Sequence, residues 1–84
     1  MSNAFITVLL VDDHSLVRRG FRRLLEEDPE IRVVGEASDG HEAVQEACRL
    51  QPAVVVMDFA LPSMNGAVAT RHILKSCPAT AVFK

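Results

Sequence analysis

The 84-residue chain is 49% hydrophobic and 24% charged, a globular composition sized for one small domain and too apolar for a disordered tail. Nine Lys and Arg against eleven Asp and Glu leave a formal charge of −2, which excludes a global field for holding nucleic acid or an anionic membrane. No apolar run approaches the ~20 residues of a membrane span and no basic-then-apolar leader opens the chain.

Residues 1–4 contain Ser-Asn-Ala and read as a cloning remnant or disordered start, which leaves 5–84 as the domain. Ile6–Val11 is a continuous apolar run, the pattern of a strand covered on both faces. From Ser15 the period changes to that of a helix: Leu16, Val17, Gly20, Phe21, Leu24 and Leu25 share one side, and Pro29 stops it. Residues 31–34 are short and β-branched, predicting a second strand that reaches about Ala37. Asp39 followed by Glu42 predicts a capping box at the start of a second helix. Its buried stripe is Ala43, Val44, Ala47 and Leu50, and Pro52 ends it. Residues 53–57 form another apolar strand, and Asn65-Gly66 opens a third helix with Ala69, Ile73 and Leu74 inward. That helix stops before Pro78, and residues 79–83 predict a fourth strand. Cys48 and Cys77 have neither a C-x-x-C nor a zinc spacing and read as packed free thiols, so a reducing cytoplasm is expected.

The order βαβαβαβ predicts an α/β parallel sheet with right-handed crossovers and helices on both faces. Ligands in such sheets bind beyond the carboxyl ends of the strands, where the strand order reverses. Asp12 and Asp13 follow the first strand and Asp58 follows the third. Any one of them suits a helix cap. Together, on neighbouring strands, they would repel strongly without a cation. A hard ion with oxygen ligands, Mg²⁺ first, resolves the conflict. A carboxylate beside it can act as a nucleophile toward phosphorus.

The stretches VDDHSLVRRG, VVGEASDGHEAV and VVVMDFALPSMNG resemble the receiver domain of two-component response regulators, nearest to the NarL/FixJ subfamily. The specific feature is the acidic pair after strand one combined with Asp58, Pro62 and Gly66. The resemblance implies a three-layer flavodoxin-like sheet of strand order 2-1-3-4. It implies a phosphoryl group accepted on Asp58 from a sensor histidine kinase. Mg²⁺ would be held directly by Asp13, Asp58 and the backbone carbonyl of Ala60, and by Asp12 through water. Receivers also carry a Ser or Thr at the end of strand four and a Lys at the end of strand five. Thr80 and Lys84 come too early for those roles, so the chain is expected to be the first two-thirds of a receiver from a transcriptional regulator.

A haloacid dehalogenase-type phosphatase would also use a strand-end Asp with Mg²⁺, but it needs a second acid at the position of Ala60. A truncated, non-switching receiver serving as a dimerisation module is the other alternative. Without the fifth helix of a receiver, alternate residues of strands three and four would face water and strand four would be an open edge. A homodimer or other homo-oligomer is therefore expected, and neither DNA binding by this stretch nor membrane attachment. Arg18, Arg19, Arg22 and Arg23 read as a solvated face in preference to a kinase-docking face. His14 reads as local packing, His41 and His72 as surface residues, and Met57 and Met64 as packing around the site.

Overall fold

A computed structural model describes residues 5–58, 66–77 and 80–83. Its elements follow the expected alternation: β1 (Ile6–Val11), α1 (Ser15–Glu26), β2 (Ile31–Ala37), α2 (Gly40–Leu50), β3 (Val54–Met57), α3 (Gly66–Ser76) and β4 (Ala81–Phe83). The strands form one parallel sheet in the order β2-β1-β3-β4. Residues 1–4, Pro78, Ala79 and Lys84 lie outside the described residues, as does Asn65 at the expected opening of α3. No helix among the described residues is long and apolar enough to cross a membrane.

The period of a strand sorts β1 onto two faces. Leu9 and Val11 join Val55, Met57, Ala43, Ala47, Ala69 and Ile73 in the main core under α2 and α3. Val8 and Leu10 face the other way and cluster with Val33, Leu25, Val54 and Val56 on the α1 side. The small Ala43, Ala47 and Ala69 let α2 and α3 lie close to the sheet and to each other, which is why alanines rather than large residues fill those positions.

The first helix departs from expectation. No residue of α1 is fully buried, and Leu16 is 80% exposed, Leu24 65%, Phe21 48% and Val17 46%. Only Leu25 packs against the α1-side cluster. The apolar stripe is real but mostly exposed, with Phe21 bordering an open cleft beside Leu10 and Val56 of the sheet, while Arg18 and Arg22 of the same helix reach β2 through ion pairs. Leu74 is also outward, 44% exposed, whereas Ala69 and Ile73, four residues apart, define the buried line of α3. Leu74 follows Ile73 by one residue, a turn of ~100° around the helix axis away from that line. On β3 and β4 the expected exposure of alternate residues is seen in part: Phe83 and Ala81 are exposed, and Val54 and Val56 half-buried.

The cap of α2 is also a variant of the expected one. Asp39 accepts from the Glu42 amide at 2.8 Å, but the Glu42 carboxylate reaches Ser38, accepting from its amide at 2.7 Å and its hydroxyl at 3.0 Å. Two backbone donors at the helix entry, the Glu42 and Ser38 amides, are thereby satisfied. At the other end Gln51 takes a left-handed conformation (φ 48°), and Pro52, which cannot continue the helix, follows it fully buried.

One close approach fixes β2 against α2. The register of β1 on β2 slips after Val8, so that Leu9 faces Gly35 and Val34 is the extra residue of a bulge. A Cβ at Gly35 would lie 2.6 Å from the Leu50 Cδ1 methyl and 3.4 Å from that of Leu9. Gly35→Val is expected to cost about 1–3 kcal/mol in urea unfolding, because the branched chain must displace both leucines. Gly35→Ala should cost less, since Leu50 is only partly buried. Equal and negligible effects would show that the two elements are not in contact there.

Candidate functional site at the carboxyl ends of the strands

β2 and β3 flank β1 on opposite sides, so the chain reverses its direction of travel across the sheet between β1 and β3. That is the crevice where open α/β sheets place their ligands. Backbone hydrogen bonds level the strand ends there: the Asp12 amide donates to Ala37 at 3.1 Å, and the Asp58 amide donates to Val11 at 3.0 Å. The parallel ladder thus carries Asp12, Asp13 and Asp58 to one place. One ligand atom from each of Asp12, Asp13, His14 and Asp58 lies within 4.8 Å of all the others.

The cap explanation covers only part of this group. Asp12 does serve the local turn, its Oδ1 accepting from the His14 amide at 2.8 Å. Asp13 is not the cap of α1: that position is His14, whose side chain makes no cap hydrogen bond. The expectation of local packing for His14 is overturned, since its side chain is 71% exposed and its Nδ1 lies 3.0 Å from Asp13 and 3.4 Å from Asp12. Carboxylates leave β1 and the imidazole turns back over them, exposed and not buried. At the 4.8 Å that spans the group, two like charges repel by roughly 1 kcal/mol in bulk water and roughly 3–4 kcal/mol at an effective dielectric of 20. The all-oxygen carboxylate set at that separation suits a hard divalent cation. Ala60, Pro62 and Met64 lie outside the described residues, and with them the expected carbonyl ligand. Met57 is buried packing beneath the site, and His41 and His72 are exposed on their helices.

Three residues that hold the site in place were misread or missed in the sequence. Arg18 Nε donates to Glu36 at 2.7 Å and Arg22 Nη1 to the other Glu36 oxygen at 2.6 Å. Arg18 also donates through Nη1 to the Asp12 carbonyl oxygen. Glu36 therefore ties α1 to β2, and Arg18 anchors the backbone that carries the acidic pair. The solvated-face reading fails for Arg18 and Arg22, and holds for the exposed Arg19 and Arg23. The available signal was Glu36 itself, a charge inside the strand Ile31–Ala37, which a partner must neutralise.

Hydrogen bonds from Arg18 and Arg22 hold the Glu36 carboxyl below the usual carboxylate range. A depressed folded-state value stabilises above the unfolded pKa, and that contribution disappears as pH falls through the folded one. Glu36→Gln is expected to lose about 1–2 kcal/mol at pH ~7. The difference from wild type should shrink as pH drops below ~4. Urea unfolding of both proteins at the two pH values measures it; a constant difference would mean the loss is packing and not charge.

An open parallel sheet with a carboxylate cluster at its switch point defines the class, a doubly wound α/β domain with an acidic cluster at the carboxyl ends of its strands. A profile of the response regulator receiver domain matches residues 8–83, and the chain belongs to that family. Transcriptional regulatory protein LiaR of Bacillus subtilis is 49% identical over 70 residues, covering 83% of this chain and 33% of its own length. Protein-glutamate methylesterase/protein-glutamine glutaminase 2 of Pseudomonas fluorescens is 45% identical over 73 residues, 87% of this chain and 19% of its own. The chain thus spans a fifth to a third of these relatives.

Among solved structures, the response regulator domain of Thermotoga maritima CheB superposes with a TM-score of 0.88 at 40% identity, covering 93% of this chain and 57% of that one. A LuxR-family two-component response regulator from an Aurantimonas species superposes with a TM-score of 0.89 at 43% identity, covering 94% and 56%. The fold is the flavodoxin-like receiver fold, with strand order 2-1-3-4 as expected.

Proposed function

We propose that Asp58 accepts a phosphoryl group from a sensor histidine kinase, in a parent protein that regulates transcription. The observation that carries this reading is the convergence of Asp12, Asp13 and Asp58 at the switch point. An Asp58 oxygen forms the new bond to phosphorus as the bond from phosphorus to the kinase imidazole breaks, and the imidazole, protonated on its other ring nitrogen by solvent before the transfer, keeps the electron pair and leaves neutral. Asp13, with no capping role of its own, and Asp12 and Asp58 are the residues that would hold Mg²⁺, with the Ala60 carbonyl as the family's further ligand. When bound, the ion supplies charge neutralisation for the phosphoryl oxygens. Arg18 keeps the acidic pair in register by its hydrogen bond to the Asp12 backbone. The transcriptional parent is supported by LiaR and the LuxR-family neighbour. Free thiols accord with a cytoplasmic location. In this reading the domain is a phosphoacceptor and not a turnover enzyme.

Thermal unfolding with millimolar Mg²⁺ tests the site. Stabilisation of about 1–3 kcal/mol is expected by ligand linkage. Asp13→Ala should remove it, and an equal Mg²⁺ response in the variant would place the ion elsewhere.

A second reading, an interaction module that pairs with its own copy, is favoured by the exposed Leu16, Phe21 and Leu24 on α1 and Phe83 on β4. Pairing of two α1 helices would bury the exposed apolar stripe of each against the other. Light scattering over a dilution series measures this; a monomer at all micromolar concentrations would remove it.

A further inference from the structure

The sulfurs of Cys48 and Cys77 lie 3.5 Å apart, on α2 and at the end of α3. Both cysteines are unbridged thiols, and Cys48 is exposed, not packed as its helical position suggested. The backbone around Cys77 is held on both sides: its amide donates to Ile73 at 2.7 Å, and its carbonyl accepts from Thr80 at 3.0 Å. Thr80 is itself buried and donates to the Pro52 carbonyl at 2.8 Å. On the other helix, Cys48 follows Ala47, which is fully buried against the sheet. The two sulfurs are therefore brought together by fixed backbone and not by two mobile chains meeting by chance. A disulfide needs them at about 2.05 Å, a closure of about 1.5 Å.

We infer that Cys48 and Cys77 are an oxidisable dithiol, a modification site at which hydrogen peroxide closes a disulfide that staples α3 to α2. A metal is not what the pair is built for. Among the described residues the only cluster of three or more metal-ligating side chains is the acidic one at the opposite end of the sheet. Two thiolates alone leave a structural zinc half-coordinated.

Desolvation, and then the neighbouring Cys48 thiol, push the Cys77 thiol up, so the exposed Cys48 is the sulfur that meets the oxidant. Its thiolate attacks one peroxide oxygen, the O–O bond breaks, and a sulfenic acid and one water result. The Cys77 sulfur then attacks the Cys48 sulfur and displaces hydroxide, which leaves as a second water. Two thiols have given up two electrons and two protons, and one peroxide has become two waters. The staple closes a segment of 29 residues between the two positions. It lies beside Pro52 and Thr80, at the amino ends of β3 and β4, and so leaves the carboxylates untouched.

The test is to add one equivalent of hydrogen peroxide to the reduced protein, then alkylate and measure intact mass and non-reduced peptides. The expected product is a monomer two hydrogens lighter, unable to take up alkylating reagent at either cysteine, with a cross-linked peptide pair that dithiothreitol releases. Cys48→Ser and Cys77→Ser should each abolish the intramolecular link. The oxidised protein should melt about 10 °C higher than the reduced one. Wild-type protein that instead gains oxygen atoms independently at the two cysteines, or forms covalent dimers, would overturn the inference. So would an oxidised form that melts lower, because the sulfurs would then not be held ready to bond.

Discussion

Asp58→Asn is expected to reduce phosphoryl labelling to background when the protein is incubated with Mg²⁺ and acetyl phosphate and its intact mass is followed. The substitution keeps the shape of the side chain and removes its charge, and a neutral amide is not a nucleophile toward phosphorus. Asp12→Asn and Asp13→Asn remove charge from the same cluster but leave the acceptor oxygen in place. Those variants should label more slowly and not be blind to the donor. Hydroxylamine distinguishes the product, because an acyl phosphate on a carboxylate is cleaved by it and a phosphoserine or phosphothreonine is not. The ordering matters more than the absolute rate. An adduct that persists in Asp58→Asn, or one that resists hydroxylamine in the wild type, would assign the phosphoryl group to another residue. If Asp13→Asn were as inert as Asp58→Asn while still responding to Mg²⁺, Asp13 would be the better candidate for the acceptor.

Leu9→Ala is expected to cost about 3–5 kcal/mol, the range of a large-to-small change in a closed core. Leu9 is fully buried on the central strand and packs into the cluster that α2 and α3 cover. A domain of this size has roughly 5 kcal/mol or little more to lose, so the variant should be substantially unfolded in water. Leu16→Ala removes the same atoms from a residue that is 80% exposed, and should change stability by about 0.5 kcal/mol or less. Urea unfolding at concentrations below any self-association compares the two. At higher concentration Leu16→Ala should weaken association, if α1 pairs with its copy, without changing the stability of the dilute chain. Comparable losses for Leu9 and Leu16 in dilute protein would mean that α1 is seated on the sheet with its apolar stripe inward, contrary to the arrangement described here.

By itself the sequence determined the alternation of strands and helices, the parallel order of the sheet and the candidate acids. Each of these rests on a local signal. The uninterrupted apolar run of β1 marks a strand covered on both faces, and Asp39 with Glu42 marks a helix entry. Asp12, Asp13 and Asp58 stand where strands end, and a parallel sheet brings such ends to one side. The tertiary structure alone decided which way the helices turn and which distant groups meet. The stripe on α1 has the period of a buried face, yet it is mostly exposed, while Arg18 and Arg22 reach Glu36 on β2, 18 residues beyond Arg18. The helical period puts Leu74 inward, but the buried line of α3 is set by where α2 leaves room, beside Ala43 and Ala47. Cys48 and Cys77, with no motif between them, became neighbours across 29 residues when α2 and α3 packed side by side. Periodicity reports how one segment relates to an average interior; which residues touch depends on distances between segments, and those exist only once the sheet has placed its helices.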